Sequence, residues 1–70
     1  MSLYEQLRKA FIQGSKITVT LLDGSKVVDA IVIETKIEYT PDQSYTFTFF
    51  SSVDRREATI HLENIKEISE

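Results

Sequence analysis

From Ser2 to Gln13 the apolar residues Leu3, Leu7, Ala10 and Phe11 recur at the spacing of one helical face, and Glu5, Arg8, Lys9 and Gln13 take the other side. Ser2 with Glu5 three residues later has the form of a capping box, and Gly14 stands where a left-handed residue ends a helix. The pattern predicts an amphipathic helix over 2–13. So short a helix is unstable alone, so its apolar stripe must cover a partner surface.

That surface begins after Lys16, where Ile17, Val19 and Leu21 alternate with Thr18 and Thr20 up to the turn signal Asp23-Gly24. A two-residue type I′ loop at Asp23-Gly24 would set Leu22 against Ser25, Val19 against Val28 and Ile17 against Ala30, with these pairs sharing the apolar face. The returning segment, Lys26 to Thr40, would reach roughly 50 Å if extended at ~3.3 Å per residue. A domain of this size has a radius of gyration of only about 11 Å. The strand must therefore bend. Its apolar parity also switches, from Val28 and Ala30 to Ile31, Ile33, Ile37 and Tyr39, which predicts a bulge or sharp coil near Asp29 to Ile31.

Pro41-Asp42-Gln43-Ser44 reads as a turn, and Tyr45-Thr46-Phe47-Thr48-Phe49 as a strand. Pairing Tyr39 with Tyr45 and Ile37 with Phe47 requires a five-residue loop, Thr40 to Ser44. Ser51 to Arg55 is polar, Arg56 to Leu62 alternates with Ala58, Ile60 and Leu62 inward, and Leu62-Glu63-Asn64-Ile65 reads as a short helical turn before a last strand near Lys66 to Ser69. The fold class that follows is mainly β: an N-terminal α-helix and a five-stranded, strongly bent antiparallel sheet or small barrel, in one domain over 1–70.

Composition narrows the chemistry. The chain has 70 residues, no Cys and a single His. Disulfides, thiolate zinc sites and a cysteine nucleophile are excluded, and a core this small leaves room for self-association to add stability. Eight Lys and Arg against eleven Asp and Glu give a net charge of −3, which disfavours long-range attraction to nucleic acid or anionic lipid. The longest unbroken apolar run, Ala30 to Ile33, is far too short to span a membrane, and no signal-peptide pattern opens the chain. A soluble, cytoplasmic protein is expected.

The helix, the stretch Ile17-Thr-Val-Thr-Leu-Leu-Asp-Gly24 and the ending Ile60-His-Leu-Glu-Asn-Ile-Lys-Glu-Ile68 resemble the Sm-like fold of the Sm and Hfq proteins, with SH3-like barrels and YolD-like proteins as alternatives. The resemblance implies a small barrel and a ring-forming habit. It departs from the family at Asp29-Ala30, where a Gly is usual, and in Lys36 to Gln43, which lacks the family's acidic residue and Asn. Laid on Hfq's Tyr-Lys-His motif, the ending supplies His61, Leu62 and Glu63. RNA binding by that motif therefore does not carry over.

His61 is the obvious candidate for acid or base chemistry, but it has neither a second His nor a Cys to build a zinc site or triad with, so it reads as a surface or partly packed residue. Glu34, Lys36 and Glu38 read as a solvated strand face. Arg55 and Arg56, with Lys16 and Lys26, would bind phosphate only if folding gathered them, and Tyr39, Tyr45, Phe47 and Phe49 fall on core parity. Phe50 shares the outward alternation of Thr46 and Thr48, and an outward Phe on such a strand marks a contact surface. The interaction residues are accordingly Phe50, Arg55 and Arg56, with no catalytic residue, metal or cofactor. The expectation is a non-enzymatic accessory module of bacterial or phage origin that forms homo-oligomers or binds a protein partner. An Sm-like RNA-binding protein is the competing expectation, and an enzyme comes third.

Overall fold

The structure is a computed structural model that describes residues 2–38 and 44–70, with the side chain of Glu38 left aside. Helix α1 spans Leu3–Gln13 and is followed by β1 (Ile17–Leu21), β2 (Lys26–Glu38), β3 (Ser44–Ser51), β4 (Arg56–His61), a 3-10 turn at Leu62–Asn64 and β5 (Ile65–Ser69). The strands form one antiparallel sheet in the order β4-β3-β2-β1-β5. Among the described residues no helix is long and apolar enough to cross a membrane.

Both ends of α1 follow from the sequence. The Ser2 hydroxyl accepts the Glu5 backbone N–H at 3.2 Å, and Gly14 adopts φ +66° with its N–H donated to the Ala10 carbonyl. Leu7 and Ala10 are buried in the core, with Leu3, Tyr4 and Phe11 packed against it. Tyr4 reaches the sheet, its ring centroid 4.5 Å from Tyr45 and 6.2 Å from Phe47.

The leading hairpin differs from the two-residue expectation. Gly24 donates to the Leu21 carbonyl at 3.0 Å, and Leu21 donates to Ser25 at 2.9 Å, so the loop is the three residues Leu22, Asp23 and Gly24. Gly24 has φ +92°, whereas Asp23 is not in the positive-φ region that a type I′ turn demands. Asp23 instead closes an Asx-turn, its Oδ1 accepting the Ser25 hydroxyl at 2.6 Å and the Ser25 N–H at 2.9 Å. These bonds, the hydroxyl foremost, hold its carboxyl below the ordinary value of 3.8. The stabilisation is thus present above the ordinary Asp range and is lost as pH falls through the lowered value.

The extra loop residue moves the pairing to Thr20↔Lys26 and Val19↔Val27, and Ile17↔Ala30 is regained by a bulge at Val28 and Asp29, where Asp29 has φ +52°. Val27 is the residue packed against the core, and Val28 is 43% exposed rather than sharing the inner face. A second irregularity lies between Val32↔Phe49 and Glu34↔Thr48, leaving Ile33 without a partner and 43% exposed. The inner parity of β2 therefore runs Val27, then Ala30 and Val32, then Thr35 and Ile37. Two switches occur where the residue pattern showed one, and Ile31 and Ile33 belong to the outer face. Ile37 pairs with Tyr45, not Phe47, and Glu38 pairs with Ser44; the Tyr39 pairing lies outside the described residues.

The core is Phe47 and Phe49 from β3, ringed by Leu7, Ala10, Ile17, Val19, Ala30, Val32, Ile60 and Ile65. Gly24→Val should destabilise the protein by on the order of 1 kcal/mol or more. An added Cβ would meet nothing within 4 Å, so the cost is backbone strain, read as a lower urea midpoint at unchanged slope. Phe47→Ala and Ile60→Ala should each cost about 2–5 kcal/mol. Thr48→Ala loses only an exposed 3.1 Å hydroxyl contact to Thr59 and should cost under about 1 kcal/mol. Equal denaturation midpoints for Phe47→Ala and Thr48→Ala would invert the parity of β3.

Candidate functional site

Side chains on β3 alternate between a face closed by α1 and a face turned away from it. Phe47, Phe49 and Ser51 are buried on the first; Thr48 and Phe50 lie on the second. Phe50 stands opposite Ile31 on β2 and Glu57 on β4, and is half-buried. It is thus outward, as the alternation predicts, and one strand in from the β4 edge. Val28, Asp29, Ile33 and Glu34 join this outer face because each bulge places an additional residue on it.

Ser51 holds the end of this face together. Its hydroxyl donates to the Val28 carbonyl at 2.7 Å and accepts the Asp54 N–H at 3.3 Å, and the Ser52 N–H reaches the Asp29 carbonyl at 3.3 Å. The turn from β3 to β4 is thereby pinned to the first bulge. Arg55 closes it with φ +56° and an N–H to the Ser51 carbonyl of 2.7 Å. Arg56 opens β4 opposite Ser51, and both arginines are exposed.

The fold does not gather the cations. The register runs Ile17, Ala30, Ser51, Arg56 across β1 to β4, so Lys16 and Arg56 lie about three strands apart, and Lys26 sits at the far end of the leading hairpin opposite Thr20. Asp54 and Glu57 flank the arginine pair in sequence. Phe47 and Phe49 are fully buried, which leaves their rings no free face for stacking nucleic-acid bases, and Tyr45 packs on Tyr4 at 4.5 Å.

His61 ends β4 opposite Thr46 and is half-buried. With Ser44, Tyr45, Leu62 and Glu63 it lines a recess of about 200 Å3. Among the described residues no group of three His, Asp or Glu is placed to hold a metal. Lys36 and Glu34 are exposed on the outer face opposite Thr46 and Thr48, the solvated arrangement their alternation predicts.

Thr46 shares the outward alternation of Thr48 and Phe50 but is only 5% exposed, with no hydrogen-bond partner for its Oγ1 among the described residues. Sequence alternation gives the face of a residue but not what crowds it from neighbouring strands. Ile12 was likewise invisible, lying beside the helix stripe, and is the most exposed large apolar side chain described, at 74%.

The sheet is open. Among the described residues β4 pairs only with β3 and β5 only with β1, so each presents an edge of unpaired backbone groups. The exposed arginines gather at the start of β4, and Glu67 and Glu70 at the end of β5.

Thr46→Val keeps the shape and removes a buried hydroxyl that has no partner. It should leave stability unchanged or raise it by about 1 kcal/mol. A clear fall in the denaturation midpoint would show that the hydroxyl is satisfied in solution. Comparison with protein-family models, curated proteins and solved structures finds no match to this chain.

Proposed function

We propose that this chain is a non-enzymatic module that works by associating with copies of itself through the two open edges of its sheet. The observation that carries the reading is the free edge at each end of the order β4-β3-β2-β1-β5. Unpaired strand edges are templates for another strand, and a 70-residue domain without disulfides gains stability from covering them.

Charge favours joining β4 of one copy to β5 of the next. Run antiparallel, the Arg55 and Arg56 end of β4 meets Glu67 and Glu70, and Glu63 beyond the other end meets Lys66. An N-terminal helix over a five-stranded sheet in this order agrees with the Sm-like resemblance, which lends fold-level support to rings. The nucleic-acid alternative draws no support from the dispersed cations and the enclosed rings of Phe47 and Phe49.

Sedimentation equilibrium at high micromolar concentration should show an oligomer. Edge-strand amides alternate between facing the sheet and facing outward, so of Ala58→Pro and Thr59→Pro one disrupts the β3 ladder and the other blocks only the free edge. Whichever variant keeps its native circular dichroism should lose the edge-paired oligomer and sediment at a smaller mass than the wild type at the same concentration. A strictly monomeric wild type, or a folded variant that associates unchanged, overturns the proposal.

A further inference from the structure

Two surfaces on opposite sides of the domain leave apolar side chains uncovered, and they differ in charge. On the solvent side of α1, Tyr4, Glu5, Arg8, Lys9, Ile12 and Gln13 line an open groove of about 410 Å3. Arg8 and Lys9 stand four and three residues before the exposed Ile12, on the same side of the helix. Glu5 lies one turn before Lys9, so the cations are concentrated toward Ile12.

The second surface is the outer face of β2 and β3. Ile31 and Phe50 are direct cross-strand neighbours there, Ile33 stands beside them, and Glu34 and Glu57 flank the group. Val28 and Asp29 extend it toward the turn after β3. Its nearest cations are at the margins, Lys36 one row beyond Glu34 and Arg55 in the turn. The imbalance runs through the whole chain. Residues 2–16 hold Arg8, Lys9 and Lys16 against Glu5 alone, so the remainder carries five cations against ten anions.

An apolar groove with cations on one side of a chain, and an apolar patch with carboxylates on the other, are complementary to each other and not to themselves. We propose that the outer groove of α1 in one copy seats head to tail on the outer face of β2 and β3 in a second copy. Ile12 covers Ile31, Ile33 and Phe50, and Arg8 and Lys9 lie beside Glu34 and Glu57. The occupant is a second copy because the chain itself supplies both halves of the match. From Tyr4 to Ile12 the helix is only about 12 Å long at 1.5 Å per residue. The contact therefore falls below the ~1,000 Å2 of a strong interface, and is weak and concentration-dependent. Being heterologous, it leaves a free groove and a free face on every pair, so copies add one after another. It uses neither β4 nor β5 as an edge and stands apart from edge pairing.

The chain has no cysteine, which makes thiol cross-linking a direct test. Ile12→Cys protein is mixed with Phe50→Cys protein at high micromolar concentration and treated with a short bis-maleimide. Ile33→Cys serves as a second face site should Phe50→Cys fold poorly. The expected product is the mixed dimer, in excess over either homodimer. Adding Arg8→Glu to the helix-labelled copy should reduce its yield about tenfold by setting like charges together. Adding Glu57→Lys to the face-labelled copy should then restore it. Dominant Ile12–Ile12 or Phe50–Phe50 homodimers, absence of cross-linked product, or a yield indifferent to both charge changes would overturn the proposal. Edge pairing is read separately, by the proline variants of β4.

Discussion

β2 is too long to lie straight in this molecule. Its thirteen residues would extend about 43 Å at ~3.3 Å each, against a longest principal extent of 34 Å and a radius of gyration of 11.3 Å. A flat strand of that length would also carry its apolar residues on a single alternation, which this sequence does not do. The bulges at Val28–Asp29 and at Ile33 resolve both conflicts, because each adds a residue, sharpens the local twist and switches which parity faces inward. Between them Ala30 and Val32 enter the core, and beyond them Thr35 faces Phe47. The concave face that receives α1 depends on these two bends.

The same bulges determine what faces outward. A residue displaced from the ladder must go to the face that is not packed, and the displaced residues are Val28 and Ile33, with Asp29 and Glu34 beside them. A sheet covered by a single helix has nothing to lay over that second face. Apolar side chains on it therefore stay partly in water, with Ile31 and Phe50 half-buried by each other and their neighbours. The carboxylates among them limit indiscriminate association. They also give the face a sign.

Where one periodicity acted alone, the chain was readable before folding. The cap at Ser2, the stop at Gly14, the inward placement of Phe47 and Ile60 and the outward placement of Phe50 each followed from a local rule that the tertiary structure left in force. Failures gathered where two rules competed. Asp23-Gly24 satisfied the residue preferences of a two-residue loop, but the Asx-turn to Ser25 favoured a three-residue loop with Gly24 alone at positive φ. That change shifted Val19 from Val28 to Val27. Val28 therefore lies outward while Ala30 regains its expected partner, and the parity switch that the residue pattern places near Asp29 to Ile31 falls at Ile33 instead, which leaves Ile31 and Ile33 on the outer face. The candidate site suffered for the same reason. Arg55 and Arg56 were visible as a pair, but their distance from Lys16 and Lys26 is set by the register across four strands, which no local pattern records.

Closing this sheet within one chain would require β4 to reach β5, and the chain between them is only the 3-10 turn Leu62–Asn64. In the sheet order these two strands are separated by the other three. Three residues can join them only because the bent sheet brings the end of β4 near the start of β5. Hydrogen-bonding β4 to β5 directly would need further curvature, and Phe47, Phe49 and Leu7, already fully enclosed, occupy the volume that such curvature would have to remove. Large core side chains thus keep the barrel from closing, and the edges stay open as a consequence of how the core is filled.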